Sequence, residues 1–406
     1  MIGVFFLILL FLGFNQAIFN FFKKRHPFFS VKKMNMLYLY HLVFYGIYTW
    51  YAYNNPSDSV NYYRELEIHT GSWFDLFGTD TLFINFMSYP FYQIGFSYDM
   101  LMLTFAWFGY LGFVFAYLFF REKIPIKITV FKNLDFLTLV LFFPNMHFWT
   151  ASLGKGSAIF LGLMMFTYAI VIPKRRFILL ILGSAIIFYI RPHVFMFVAV
   201  GAVLGFMSGK EKISFANKVL IYVAMIGSLV LVQDKILAVM NLQDSENLIE
   251  DFQAASQKNA DDLSTAGSGV DMSSYPLPLK LFTFWFRPLF VDAPNMLGFI
   301  TSVENLIYLL LFGKIIRKDF IKFIKNSPSL VKMSLVIFFT ASLAMTFVMS
   351  NLGIIMRQKT MVMYFIFFVI YYYLAEKKYN KIIRLRALKK QRAAEFALQK
   401  NELSIS

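Results

Sequence analysis

The residues of this 406-residue chain whose types could do chemistry are few, because 58% of positions are hydrophobic and only 15% are charged. Four cations stand isolated in apolar surroundings: Lys155 in Ser152-Leu153-Gly154-Lys155-Gly156-Ser157, Arg191 in Arg191-Pro192-His193, Arg287 in Phe286-Arg287-Pro288, and Arg357 in Met356-Arg357-Gln358-Lys359. Keeping such a charge beside apolar helix costs at least a few kcal/mol, so a bound anion is the expected partner. Arg presents a planar fork of donors and Lys a point charge, a pairing suited to phosphate or diphosphate. Each cation alone has a plainer reading, its head snorkelling to lipid headgroups. Recurrence at four helix ends is what points to a site. Lys155-Gly156-Ser157 lacks the upstream glycine spacing of a nucleotide-binding phosphate loop.

For proton transfer, the segment after the second apolar run offers Asp58, Glu65, Glu67 and His69 beside Tyr62 and Tyr63. A carboxylate near a sugar hydroxyl can accept its proton during glycosyl transfer. The same acids also suit the solvated face of a surface helix. Glu304, beside Asn305, falls inside an apolar run, where a carboxylate either serves function or pairs with a neighbouring helix. The five His residues are scattered and there is no Cys, so neither a metal centre nor a Cys nucleophile is expected. His26 and His41 read as packing or interface residues, and His147 as lying near the outer end of a span.

What must position these groups is a set of membrane helices. A soluble domain carries roughly 25% charged residues and could not bury this much apolar surface. Apolar runs bounded by charge give eleven expected spans, at 2–22, 34–53, 98–120, 134–151, 157–172, 177–190, 194–207, 217–232, 296–313, 333–355 and 360–375. The expected fold is thus an all-α integral membrane protein: one polytopic domain over 1–376, with larger outward loops at 54–97 and 233–295, and a basic tail over 377–406. The first loop reads as a surface-lying amphipathic element. The run 177–207 is broken only by Arg191-Pro192-His193, and each half of about 14 residues reaches roughly 21 Å, short of the roughly 30 Å hydrocarbon layer. A hairpin with a submerged turn is therefore expected at Arg191 and His193.

The net charge of +16 follows sidedness rather than nucleic acid. Of 39 basic residues, 30 fall in alternate connecting segments and the tail, a face the positive-inside rule makes cytoplasmic. An odd number of spans then leaves the N-terminus outside. The remaining nine cations, Arg64, Lys155, Arg191, Lys235, Lys258, Lys280, Arg287, Arg357 and Lys359, are outward.

Ser57-Asp58-Ser59-Val60-Asn61-Tyr62-Tyr63 after the second span, His147 to Ser157, Arg191-Pro192-His193 and the late Arg287 and Arg357 together resemble the bacterial polysaccharide polymerases of the Wzy/EpsG-like kind. That resemblance implies polymerisation of undecaprenyl-diphosphate-linked repeat units of O-antigen, capsule or exopolysaccharide at the outer face of the bacterial cytoplasmic membrane. It implies no cofactor and no metal. Arg191, Arg287 and Arg357 would hold the diphosphate, Lys155 and His193 would assist, and Asp58 would be the nearby acid. The implied partners are the lipid-linked oligosaccharide, membrane lipids and a chain-length regulator, with no nucleic acid. One departure is Gly156, where an acidic residue follows the Gly-Lys pair in related sequences. A ligase or other lipid-linked glycosyltransferase, a flippase for anionic glycolipids, and an assembly scaffold are the competing readings.

Overall fold

The computed structural model describes residues 2–210, 275–293, 295–348 and 351–405 and a few isolated positions between them. Most of the expected span at 217–232 and most of the acidic stretch 244–275 lie outside the described residues, as do Lys212, Lys218, Lys235 and Lys258. In chain order the elements are α1 (Ile2–Arg25), α2 (Val31–Asn54), α3 (Asp58–Ile68), α4 (Thr81–Gln93), α5 (Tyr98–Lys123), and a minimal antiparallel ribbon of β1 (Thr129–Val130) and β2 (Leu134–Asp135). Next come α6 (Phe136–Leu141), α7 (Pro144–Thr150), α8 (Lys155–Ala169), α9 (Phe177–Ile190) and α10 (Pro192–Ser208). Further along are α11 (Leu277–Phe286), α12 (Met296–Phe312), α13 (Lys318–Lys325), α14 (Ser329–Val348), α15 (Leu352–Gln358) and α16 (Met363–Ile405).

The chain is an all-α protein of membrane character. Among the described residues three helices, α1, α5 and α14, are long and apolar enough to cross a bilayer, and α15 with α16 makes a fourth if that pair, bent by 54°, is one broken span. Helices α9, α10, α11 and α12 are apolar but shorter. Two expected spans are not single helices. The run 134–151 breaks between α6 and α7, because Pro144 has no N–H to give and holds Phe143 extended. The run 333–355 also divides: α14 ends at Val348, and Asn351 caps a separate α15 by accepting from the backbone N–H groups of Gly353 and Ile354 at 2.9 and 3.2 Å. The run 360–375 enters α16 at Met363, after a short 3-10 turn over Lys359–Met361, and α16 continues into the basic tail, its side chains turning from buried to exposed at Lys377.

Spacing of the buried residues gives each helix its place. On α1 only Leu7, Phe11, Asn15, Phe19 and Phe22 are buried, a stripe at steps of four and three that leaves the rest of the helix to lipid. Helix α5 is buried on all sides and forms the hub for α1, α2 and α8. Trp107 Nε1 donates to Asn15 Oδ1 at 2.9 Å and fixes α1 on this hub.

All six ion pairs among the described residues join segments that the alternation of charge assigns to one face. Lys33–Asp135, Arg176–Glu122 and Lys377–Asp319 lie at one end of the bundle. Lys155–Asp80, Arg287–Asp292 and Arg357–Asp58 lie at the other. Helix α5 links the two ends; its 26 residues extend ~39 Å.

Helix α9 rests mainly on α8, and α10 on α14. The second contact depends on Gly201 and Gly205, four apart on one face of α10: a Cβ on Gly205 would stand 2.5 Å from the backbone nitrogen of Met333. Gly205→Leu should therefore lower stability by ~1–3 kcal/mol through overpacking. Gly46→Leu is the control, since nothing lies within 4 Å of its added Cβ. Thermal unfolding in detergent reads both, and equal melting temperatures would refute the close backbone contact.

Candidate functional site

The turn between α7 and α8, the break between α9 and α10, and the bend between α15 and α16 meet at one end of the bundle. Lys155 opens α8, where Gly154 takes φ +149°, a conformation that glycine alone adopts freely. The next residue is Gly156, whose added Cβ would lie 2.2 Å from the carbonyl oxygen of Trp149. An acidic side chain has no room there. Pro192 forbids the α9 hydrogen-bond ladder from continuing, so Arg191 sits in extended backbone between two short helices.

Arg357 lies in the last turn of α15, and its backbone is held from both sides. Asn145 Nδ2 donates to Met356 O at 2.9 Å, and Thr360 Oγ1 donates to Arg357 O at 2.8 Å. The surface helix α3 buries Ser59, Tyr62 and Leu66 on one face and starts at Asp58. A hydroxyl chain positions that start: Tyr48 Oη to Ser57 Oγ at 3.4 Å, Ser57 Oγ to Ser59 Oγ at 2.8 Å, and Ser59 Oγ to Tyr98 Oη at 2.8 Å.

Lys155, Arg191 and Arg357 line a single cavity of about 70 Å³ that opens to the surroundings, together with Asp58, Tyr62 and Trp149. Arg357 Nη1 donates to Asp58 Oδ2 at 2.7 Å, and Lys155 Nζ to Asp80 Oδ2 at 2.5 Å. The Nε atoms of Arg191 and Arg357 are buried and have no hydrogen-bond partner. Three cations against two carboxylates leave the cluster cationic. Burial, and then the neighbouring charge of Arg357, lowers the Arg191 guanidinium to about 10, which still leaves it ionised at neutral pH. Burial, reinforced by Asp58 and Asp80, pushes the Tyr62 phenol up, so its hydroxyl remains a neutral donor. Unpaired donors with fixed positive charge suit this cavity to an anion.

Not every expected site residue converges. Arg287 does not line the cavity: its Nε donates to Asp292, and its carbonyl accepts from Lys359 Nζ at 2.6 Å. His193, in the first turn of α10, is near enough to feel the charges of Arg191, Asp80 and Lys155, yet it is not a lining residue. His147 is buried deep in α7, hydrogen-bonded to His41 at 2.8 Å and stacked on Phe113. Among the described residues no three His, Asp or Glu side chains are grouped to hold a metal ion. Glu65, read as a solvated acid, accepts a hydrogen bond from Asn85 and ties α3 to α4.

Asp80 was not singled out by its sequence. Its partner is 75 positions away, so only the tertiary fold brings the two together. A second contact holds it in place: the Asp80 N–H donates to Tyr189 O at 2.7 Å, two residues before Arg191. Its φ of +64° is uncommon for a residue other than glycine.

Glu304 proves to be a structural acceptor. Its carboxylate takes the Asn145 N–H at 2.8 Å and the Tyr308 hydroxyl. Asn145 in turn accepts from Trp149 Nε1 at 3.1 Å, so this buried network reaches both the cavity wall and the backbone beside Arg357. The chain matches no protein-family model, no curated protein and no solved structure.

Proposed function

We propose that the protein is a membrane-embedded glycosyltransferase that polymerises oligosaccharide repeat units carried on undecaprenyl diphosphate. The observation that carries this reading is the meeting of Lys155, Arg191 and Arg357, from three separate turns, around one cavity with two unpartnered guanidinium Nε atoms. The diphosphate of the donor occupies this cationic cluster. A hydroxyl of the acceptor unit attacks the anomeric carbon; the new glycosidic C–O bond forms as the bond to diphosphate oxygen breaks. The hydroxyl proton passes to a carboxylate, for which Asp58 is the candidate lining the cavity. Undecaprenyl diphosphate leaves, its developing charge stabilised by Arg191 and Arg357. Arg287 is a positioning residue in this scheme, through its carbonyl contact with Lys359.

The topology that goes with this function has eleven crossings, the N-terminus outside, the C-terminal tail in the cytoplasm, and the cavity at the outer face of the bacterial cytoplasmic membrane. Segregation of the ion pairs to two ends supports it, as does the excess of basic residues at the end opposite the cavity.

The test is reconstitution with lipid-linked oligosaccharide diphosphate as sole substrate. Products longer by whole repeats, with release of undecaprenyl diphosphate and no nucleotide sugar added, are expected. Transfer only to a different acceptor would make the protein a ligase, and movement of unchanged substrate across the bilayer would make it a flippase; either overturns the polymerase reading. Lys155→Ala should reduce elongation less than loss of either Arg does, because it removes a point charge already paired with Asp80.

A further inference from the structure

A second recess lies at the opposite end of the bundle from the anion cavity. It is a predominantly apolar groove of about 740 Å³ between α1, which leans on α5, and α9, which leans on α8. Ala17, Ile18 and Phe21 of α1 face Ile178 and Leu179 of α9 across it. Four cations, Arg25, Lys174, Arg175 and Arg176, stand at its polar end.

Arg176 is already engaged: it pairs with Glu122 at 2.9 Å and lies 3.7 Å over the Tyr168 ring. The other three have no acidic partner among the described residues. Lys174 and Arg175 are exposed, and Arg25 is held 3.8 Å over the Phe21 ring, which aims it along the groove wall. One end of the recess thus asks for an anion and the rest for hydrocarbon. An anionic head joined to a hydrocarbon chain is complementary to both parts at once.

We propose that this groove is a binding site for an anionic glycerophospholipid, with an acyl chain between α1 and α9 and the phosphate held by Arg25, Lys174 and Arg175. The bound lipid fills the gap that the single buried stripe of α1 leaves beside α9. It is independent of the anion cavity, and its occupancy stabilises the protein whether or not the cavity binds a diphosphate.

The experiment is thermal unfolding of the purified full chain in detergent, titrated with dioleoyl phosphatidylglycerol, dioleoyl phosphatidylcholine or soluble glycerol phosphate. Phosphatidylglycerol should raise the melting temperature saturably, phosphatidylcholine much less, and glycerol phosphate not at all. Arg25→Gln, Lys174→Gln and Arg175→Gln should each weaken the apparent phosphatidylglycerol affinity about fivefold, the equivalent of about 1 kcal/mol per cation. Ala17→Trp, at an exposed position facing the groove, should leave the lipid-free melting temperature unchanged and abolish the gain. Equal stabilisation by both phospholipids, wild-type titration curves in the charge variants, or full stabilisation by glycerol phosphate would each overturn the proposal.

Discussion

Arg357→Ala should abolish long polymer while the protein remains inserted at its normal level, and the loss in turnover should reach about 10² to 10³, the scale of removing one donor from a preorganised oxyanion site. The magnitude rests on where Arg357 is placed rather than on its charge alone. One nitrogen holds Asp58 at 2.7 Å, while the buried Nε is without a partner and so is free for substrate. An exposed surface cation would be worth at most about 1 kcal/mol, less than a tenfold effect. Arg191→Ala should be comparably damaging, because its Nε is likewise buried and unpartnered. Lys at either position should rescue only in part, since it keeps the charge and loses the planar fork. Asp58→Asn separates two roles: if Asp58 only anchors Arg357, the amide still accepts that hydrogen bond and activity survives. If it takes the acceptor proton, turnover collapses while donor binding persists. Elongation assays on reconstituted protein decide each case, and wild-type polymer length in both Arg variants would end the anion-site reading.

Much of this site was legible in the sequence because local chemistry marks it. Pro192 stops α9 whatever surrounds it, so the break at Arg191 follows from three residues. The alternation of basic segments likewise assigns each charged group to a face, and all six ion pairs among the described residues join groups assigned to the same face. Pro144 carries the same kind of signal, and it divides one expected span into two short helices. Other features depend on distance in the fold and leave no local mark. Asp80 becomes a site residue only when α4 brings it to Lys155. Arg287 and Arg357 look alike in sequence, as lone outward cations after an aromatic or apolar residue, yet Asp292 holds one and the cavity receives the other. Lys359 was grouped with the outward cations, but its ammonium is fully buried between neutral acceptors, Arg287 O at 2.6 Å and Asn305 Oδ1 at 2.8 Å.

That burial sets up the second large effect, at Glu304. Helices α7, α12 and α15 meet around two ionisable groups withdrawn from solvent, Glu304 and Lys359, which are near enough to feel each other's field. Glu304→Ala takes the acceptor from the Asn145 N–H and the Tyr308 hydroxyl, and it removes the larger of the two negative charges acting on Lys359, leaving the more weakly acting Asp292. Hydrogen bonds between membrane helices average only about 0.6 kcal/mol each, so their loss alone would be a modest effect. Glu304 and Lys359 make no direct contact, but a buried ammonium that loses the field of a nearby carboxylate is penalised by up to about 3–5 kcal/mol, and that term should dominate. Glu304→Ala should therefore lower the melting temperature sharply, whereas Glu304→Ala combined with Lys359→Met should recover most of the loss by removing the stranded charge. Loss of elongation should accompany the single variant, because Asn145 links Glu304 to the backbone beside Arg357 and to Trp149 in the cavity wall. A single variant costing about 1 kcal/mol, with no recovery in the double, would mean that the two groups are neutral in the folded protein and that only the hydrogen bonds hold Arg357 in place.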